Sequence, residues 1–238
     1  MLNAPNKLQL DPTRPIGPEL RRILRERIIT TDLAPGARIS ESELGAAYGV
    51  SRQPVREAFI KLAEEGLIQI RPQRGTVVAL IDVNAVLDAR FVREAVEADI
   101  VKRLARTPDP ASVAELRSLI GLQEAAEPGD TLGFIPLDDQ FHRTLAAAAG
   151  HERVWDVIES FKSHMDRVRY IGPGRFPTAT LIDQHRRIVD KIESGDPRGA
   201  ETVIRTHLRE ILNDLPAIQT AHPAFFEGEL PLNRPTAA

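Results

Sequence analysis

The chain has 238 residues with 18 Pro, 15 Gly, 42% hydrophobic and 27% charged residues and a formal net charge of -3, an ordinary globular composition long enough for two modest domains. It has no Cys, which excludes disulfides, thiolate metal sites and cysteine nucleophiles and leaves any metal to His and carboxylate ligands. No apolar run approaches the roughly 20 residues of a membrane-spanning helix, and residues 1–15 lack the apolar core of a signal peptide, so a cytoplasmic protein with no membrane partner is expected. Charge divides unevenly: residues 1–80 hold 12 Lys and Arg against 9 Asp and Glu, the remainder 19 against 25. A basic N-terminal segment on an acidic body suits contact with a polyanion.

Residues 1–15 are polar and proline-containing and read as a flexible leader. From Pro18 onward, Leu20, Ile23, Leu24 and Ile28 recur at helical spacing until the turn Leu33-Ala34-Pro35-Gly36. Ser40-Glu41-Ser42-Glu43 has the form of a capping box opening a short second helix, with Gly49 suited to end it in a left-handed conformation. Ser51 then caps a third helix over 52–65 that buries Val55, Phe59 and Leu62, with Pro54 in its first turn, where a missing N–H removes no helical bond. Two β-rich runs, 67–71 and 76–79, flank the turn Pro72-Gln73-Arg74-Gly75 and predict a hairpin. Three helices and a basic-tipped hairpin make residues 16–80 a winged helix-turn-helix domain.

Beyond Asp82 the strand signals vanish. Helical periodicity fills 83–106, 110–126, 132–149, 154–170, 177–193 and 197–215, with breaks at Thr107-Pro108, Pro128-Gly129, Gly150, Gly172-Pro173-Gly174 and Gly195-Asp196. The fold class is therefore mainly α, with residues 81–215 an all-α bundle. The tail 216–238, with Phe225 and Phe226, is either a loose end or an arm whose aromatics dock on a partner subunit.

In a helix-turn-helix the first residues of the second helix of the pair meet base edges and phosphates. Here they are Ser51, Arg52, Gln53 and Arg56, with Arg52 and Arg56 four apart and facing away from the Val55, Phe59 and Leu62 stripe. The competing reading makes them solvated surface arginines, beside a Glu57 and Lys61 pair at i,i+4. The wider string decides against it. Ala34-Pro35-Gly36-Ala37-Arg38-Ile39, Glu43-Leu44, Gly49-Val50-Ser51-Arg52-Gln53-Pro54-Val55-Arg56-Glu57-Ala58, Glu65-Gly66-Leu67-Ile68 and Arg74-Gly75-Thr76 resemble the N-terminal domain of the GntR superfamily of bacterial transcription regulators. The resemblance implies a homodimer on an inverted-repeat double-stranded DNA operator, repression being the commonest outcome. It places DNA contacts at Ser51, Arg52, Gln53, Arg56 and the wing residues Arg74 and Gly75, with Arg38 as a further phosphate contact.

In the helical domain Asp138 and His142 are four residues apart and can aim at one point, while His185 and His207 come from other helices. Three imidazoles and a carboxylate suit Zn, Ni, Mn or Fe, and spacing does not choose among them. The strings Asp138-Asp139-Gln140-Phe141-His142-Arg143, Asp183-Gln184-His185-Arg186, Gly195-Asp196-Pro197 and Arg205-Thr206-His207-Leu208 resemble the FCD ligand-binding domain of the FadR-type branch of the superfamily. The resemblance makes Asp138, His142, His185 and His207 the ligands of a divalent transition metal, and small carboxylates or sugar acids the effectors. Arg90 and Arg93 on the first helix of this domain offer a second clamp for such an acid, against a plain Arg93 to Glu97 ion pair on a solvated face. His164 is a candidate pocket donor, against the commoner reading as a core or surface histidine, and His151 and His222 read as surface residues. A rival function is a metal-dependent hydrolase or oxygenase on the same Asp/His set with Asp139 or Glu97 as base. The winged helix argues against it, since an enzyme has no need of the string from Ser51 to Arg56.

Overall fold

The structure is a computed structural model that describes residues 10–126, 130–172 and 178–230. Most of the expected leader (1–9), the breaks at Pro128-Gly129 and Pro173-Gly174, the helix start at Pro177 and the end of the tail (231–238) lie outside the described residues. The chain forms two compact units, one from the N-terminus to Val83 together with His222–Glu229, the other built on Asn84–Ala221.

In the first unit, α1 (Ile16–Ile29) buries Leu20, Ile23, Leu24 and Ile28 completely. It packs on α3 (Arg52–Glu64), whose Val55, Ala58, Phe59 and Leu62 are equally buried. Between them, α2 (Glu41–Tyr48) ends at Gly49, whose φ of 68° is the left-handed conformation that only glycine adopts at no steric cost. The capping box is not formed: Ser40 stands at the N-cap, but its hydroxyl pairs with that of Ser42 at 2.8 Å and makes no bond to the helix. The hairpin of β2 (Ile68–Arg71) and β3 (Gly75–Val78) is joined by β1 (Arg38–Ile39), in the order β1-β3-β2, all antiparallel. At its tip Pro72 precedes Gln73 at φ 59°, the arrangement of a type II turn. Finally β4 (Ile81–Asp82) pairs in parallel with β5 (Phe226–Glu227), after a 3-10 turn over Pro223–Phe225. The tail thus returns to its own chain and buries Phe226, while Phe225 stays partly exposed.

The second unit is helical throughout its described residues: α4 (Val83–Arg106), α5 (Pro110–Ala125), α6 (Thr131–Ala148), α7 (Glu152–Phe161), α8 (Ser163–Ile171), α9 (Thr178–Glu193), α10 (Pro197–Arg209) and α11 (Ile211–Ala221). Asp109 and Asp196 cap α5 and α10 by accepting from the amides of Ser112 and Gly199, each at 2.9 Å. Two blocks that read as single helices are divided. The first breaks at Lys162, whose ammonium is buried between Asp139 (2.8 Å) and Asp166 (2.7 Å). The second breaks after Arg209, and α11 then runs through Pro216, beyond the end at Leu215 that the sequence suggests. One core, including Phe141, Leu145, Trp155, Ile188 and Ile204, joins α4, α5, α6, α7, α9 and α10.

Candidate nucleic-acid interface and metal centre

The turn from Gly49 to Ser51 launches α3 with its polar first turn outward, because the Val55, Phe59 and Leu62 stripe fixes the helix's rotation. Ser51, Arg52, Gln53 and Arg56 are all exposed, as are Arg38 and the wing residues Arg74 and Gly75. The Ser51 hydroxyl makes no capping bond to α3, and Gln53 reaches Glu57 at 3.0 Å. Lys61 pairs with Glu64 at 2.8 Å rather than with Glu57. The arginines of this unit fall into two groups. On α1, Arg21 and Arg25 hold Glu65, Arg22 holds Glu19 and Glu26, and Arg27 holds Asp32. By contrast, the guanidinium groups of Arg38, Arg52, Arg56 and Arg74 have no ion partner among the described residues. Unpaired guanidinium donors on a helix N-terminus and a wing are the equipment for phosphates and guanine edges.

In the second unit Asp138 and His142 (α6), His185 (α9) and His207 (α10) are buried together, with ligand atoms all within 4.8 Å of one another. His142 Nε2 lies 3.0 Å from His207 Nε2, and His185 Nε2 lies 3.3 Å from His207 Nε2 and from Asp138 Oδ1. The other ring nitrogens are all engaged outward. His142 Nδ1 donates to Glu97 Oε2 at 2.6 Å, His185 Nδ1 to Gln123 Oε1 at 2.8 Å and His207 Nδ1 to Gln184 Oε1 at 2.9 Å. Each amide is oriented in turn, because Gln123 donates its NH2 to Leu137 O (3.1 Å) and Gln184 to Glu210 Oε2 (3.2 Å).

The tautomers follow. With each proton on Nδ1, three Nε2 lone pairs and a carboxylate oxygen face one another with no hydrogen between them. Burial, reinforced by the neighbouring imidazoles, holds the His207 pKa well below its usual value, and burial also lowers that of His185, so neither supplies a proton there. Burial pushes the Asp138 carboxyl up, but Arg169, bonded to Oδ2 at 2.7 Å, and the imidazoles outweigh it and keep it ionised. A cation among these atoms would resolve this facing of lone pairs. Ligands about 2.0–2.1 Å from a metal and roughly 90–110° apart stand about 2.9–3.4 Å from each other, which the 3.0 and 3.3 Å separations fit.

Beside the cluster lies a cleft of about 40 Å³ lined by Arg93, Asp138, Arg169, His207 and Glu210 among others. Arg93 does pair with Glu97 (2.7 Å), but both are buried, unlike the solvated pair the sequence offered as an alternative. Burial raises the Glu97 carboxyl, yet Arg93 and His142 bring it down to about 2. Arg93 Nη2 is left buried with no hydrogen-bond partner. Arg90 and His164 do not line this cleft: Arg90 bonds Glu94 at 2.6 Å, and His164 sits half-buried on α8. Arg169 lines it, and so does Glu210, neither of which sequence spacing singled out. His151 and His222 are exposed.

A winged helix-turn-helix with an open arginine-bearing helix, carried on the same chain as a helical unit enclosing a polar cleft, defines the class: a DNA-binding transcription regulator. Residues 18–78 match the family model of bacterial regulatory proteins, gntR family, and residues 88–210 that of the FCD domain, so the chain belongs to the GntR family in its FCD-containing, FadR-type branch. It is 39% identical to the HTH-type transcriptional repressor RspR of Escherichia coli K12, over 93% of this chain and 98% of that one. It is 42% identical to an HTH-type transcriptional regulator in an unstable DNA locus of Streptomyces ambofaciens, over 85% and 86%. The crystal structure of a GntR transcriptional regulator from Rhodococcus sp. RHA1 superposes with a TM-score of 0.70 at 29% identity, covering 84% of this chain and 98% of that one. These relatives are transcription regulators and not enzymes, and they lend the hydrolase alternative no support.

Proposed function

We propose that the chain is a cytoplasmic homodimeric repressor whose hold on an inverted-repeat operator is modulated by a small carboxylate bound beside a divalent transition metal. Ser51, Arg52, Gln53 and Arg56 read the major groove, Arg74 and Gly75 touch the flanking groove, and Arg38 meets a phosphate. Asp138, His142, His185 and His207 hold the metal, which is Zn, Ni, Mn or Fe. When bound, the metal supplies a positive centre that attracts an anion into the cleft. Around it, Arg93 offers its unpartnered Nη2 to the acid and Arg169 fixes the Asp138 carboxylate, while Glu97, Gln123 and Gln184 set the three imidazoles. A cleft of about 40 Å³ takes a group of roughly one to three water volumes, which suits a carboxylate head better than a whole sugar ring.

The observation that carries this reading is the convergence of three Nε2 atoms whose Nδ1 protons are all committed outward. Regulation then follows from linkage: an acid changes operator affinity only by binding the DNA-competent and DNA-incompetent states of the dimer unequally. The test is elemental analysis of purified protein together with operator titrations in the presence of a panel of small organic acids. Wild type is expected to carry about one metal per chain and to release DNA with one class of acid. His142→Ala, His185→Ala and His207→Ala are each expected to lose the metal and the response while still binding DNA. Metal-free wild type, with His variants that respond normally, would overturn the reading.

A further inference from the structure

The charged groups that line the cleft beside the Asp and His cluster are Arg93, Arg169, Asp138 and Glu210. Arg169 and Asp138 hold each other at 2.7 Å. Arg93 gives its Nε to Glu97 at 2.7 Å, while its buried Nη2 has no partner. Glu210 differs from the other acid. It is the single residue between α10 and α11, held half-buried because Leu208 and Ile211 on either side of it are buried. Its oxygens receive neutral amides, from Gln184 (3.2 Å) and Asn213 (2.9 Å), and no cation pairs with it among the described residues. An unspent guanidinium N–H and an unmatched carboxylate thus line one small cleft. The rest of its wall includes Met165, Leu181, Leu208 and Ile211, all buried and apolar.

From this we infer that the cleft is built for a zwitterion: an α-amino acid with a short aliphatic side chain, its carboxylate at Arg93 Nη2 and its ammonium at Glu210. The inference rests on the acid-responsive reading above and names the class of acid. The two charged groups of an α-amino acid are joined through one carbon, so both fit a space of about 40 Å³, the room of roughly three waters, and the side chain meets the apolar wall. Three other classes of acid fit worse. A dicarboxylate brings a second anion toward Glu210, where like charges repel. A polyhydroxylated sugar acid sets hydroxyls against a thioether and methyl groups, leaving buried donors unpaired. A 2-hydroxy acid gives Glu210 a hydrogen bond from a neutral donor, whereas an ammonium gives it both the bond and the countercharge. The ammonium also keeps clear of the candidate metal. Glu210 reaches the cluster through Gln184, which accepts from Nδ1 of His207 at 2.9 Å, so its charge lies behind that ring and not among the converging Nε2 atoms.

Calorimetric titration of the purified full chain tests this with glycine, L-alanine, L-valine and L-leucine, each beside the 2-hydroxy acid and the unsubstituted acid of the same carbon skeleton, and with succinate. Operator titrations with the same compounds report release of DNA. At least one amino acid is expected to bind roughly tenfold or more tightly than both of its counterparts, and to release the operator. Glu210→Gln keeps the side chain's shape and a carbonyl acceptor but removes its charge. It should lower that amino acid's affinity roughly tenfold and leave that of the unsubstituted acid unchanged, while Trp155 fluorescence, which reports the buried core, stays that of wild type. A hydroxy acid, an unsubstituted acid or succinate that binds as tightly as any of the amino acids would overturn the zwitterion and leave the acid-responsive reading intact. An amino-acid preference that survives Glu210→Gln would overturn the place given to the ammonium. Binding by none of these compounds would overturn the zwitterion as well, and the acid-responsive reading is then decided by the broader panel of organic acids.

Discussion

Arg52 and Arg56 sit on the turn of α3 opposite its buried stripe, and their side chains have no partner among the described residues. Their replacement by Ala should therefore shift stability by no more than about 0.5 kcal/mol. Each loss of a bidentate guanine contact should remove about 1–3 kcal/mol of base discrimination. Thermal melts alongside operator titrations check both halves, and unchanged sequence preference in both variants contradicts the assignment. In the proposed metal centre, the ring orientations depend on groups behind the candidate ligands. Gln184→Leu removes the acceptor of His207 Nδ1–H, freeing the tautomer, and should lower metal affinity roughly 10–100-fold; competition with a chromogenic chelator measures it. The residues of this centre were unevenly legible in the sequence. Asp138 and His142 announce themselves because a spacing of four puts them on one helix face, and His185 and His207 belong to the strings that resemble the FCD domain. Gln123 and Arg169 carry no such mark, and Gln184 lies in one of those strings with no role to show for it, since a glutamine orients an imidazole only through tertiary placement, and Arg169 reaches Asp138 across 31 positions. Arg90 stands one turn before Arg93 on the same helix face, but it bonds Glu94 at 2.6 Å and does not line the cleft, which spacing in sequence does not show.

Glu94 is where α4 is tied to α10. Its buried carboxylate receives Arg90 from its own helix and Arg205 and Arg209 from α10. Burial raises its pKa, but these three guanidinium groups outweigh burial and bring it from 4.5 to about 2. Because the folded pKa is the lower one, the unfolded chain binds more protons between pH 4.5 and 2, so this contribution is whole above pH 4.5 and fades as pH falls through that window. Glu94→Gln should then cost about 2 kcal/mol at pH 7, less than the full shift because Arg205 and Arg209 are a third or more exposed. Urea melts of variant and wild type should converge near pH 2, and a constant difference down to that pH would refute the account. Among the elements, long helices were readable because each buries its own periodic stripe. The two-residue strands β1, β4 and β5 were not, since nothing in two residues alternates and each exists only through its partner. The division at Lys162 was hidden for a related reason: the helical pattern continues across it, and only the burial of one ammonium between Asp139 and Asp166 marks the break.

At the scale of the whole molecule the chain leaves its N-terminal unit after Val83 and comes back to it over His222–Glu229. The return is fastened by Phe226, 7% exposed, in a strand paired with Ile81 immediately before α4 begins. In the sequence the tail fits a loose end and an arm on a partner subunit equally, because an aromatic pair in a proline-bearing segment suits either. The burial of Phe226 within its own chain decides for neither. Truncating a buried Phe removes its transfer free energy and leaves a cavity, so Phe226→Ala should destabilise the first unit by roughly 3 kcal/mol. The chain offers a way to see which unit is affected. Its single Trp is Trp155, in the core of the helical unit. Fluorescence on heating therefore follows that unit, whereas circular dichroism follows both. In Phe226→Ala the Trp155 transition should stay where it is in wild type, while a second, earlier transition separates from it in the circular dichroism trace. If both signals instead move down together, Phe226 stabilises the molecule as one cooperative block, and the tail is a fastening of the whole chain rather than of its DNA-reading end.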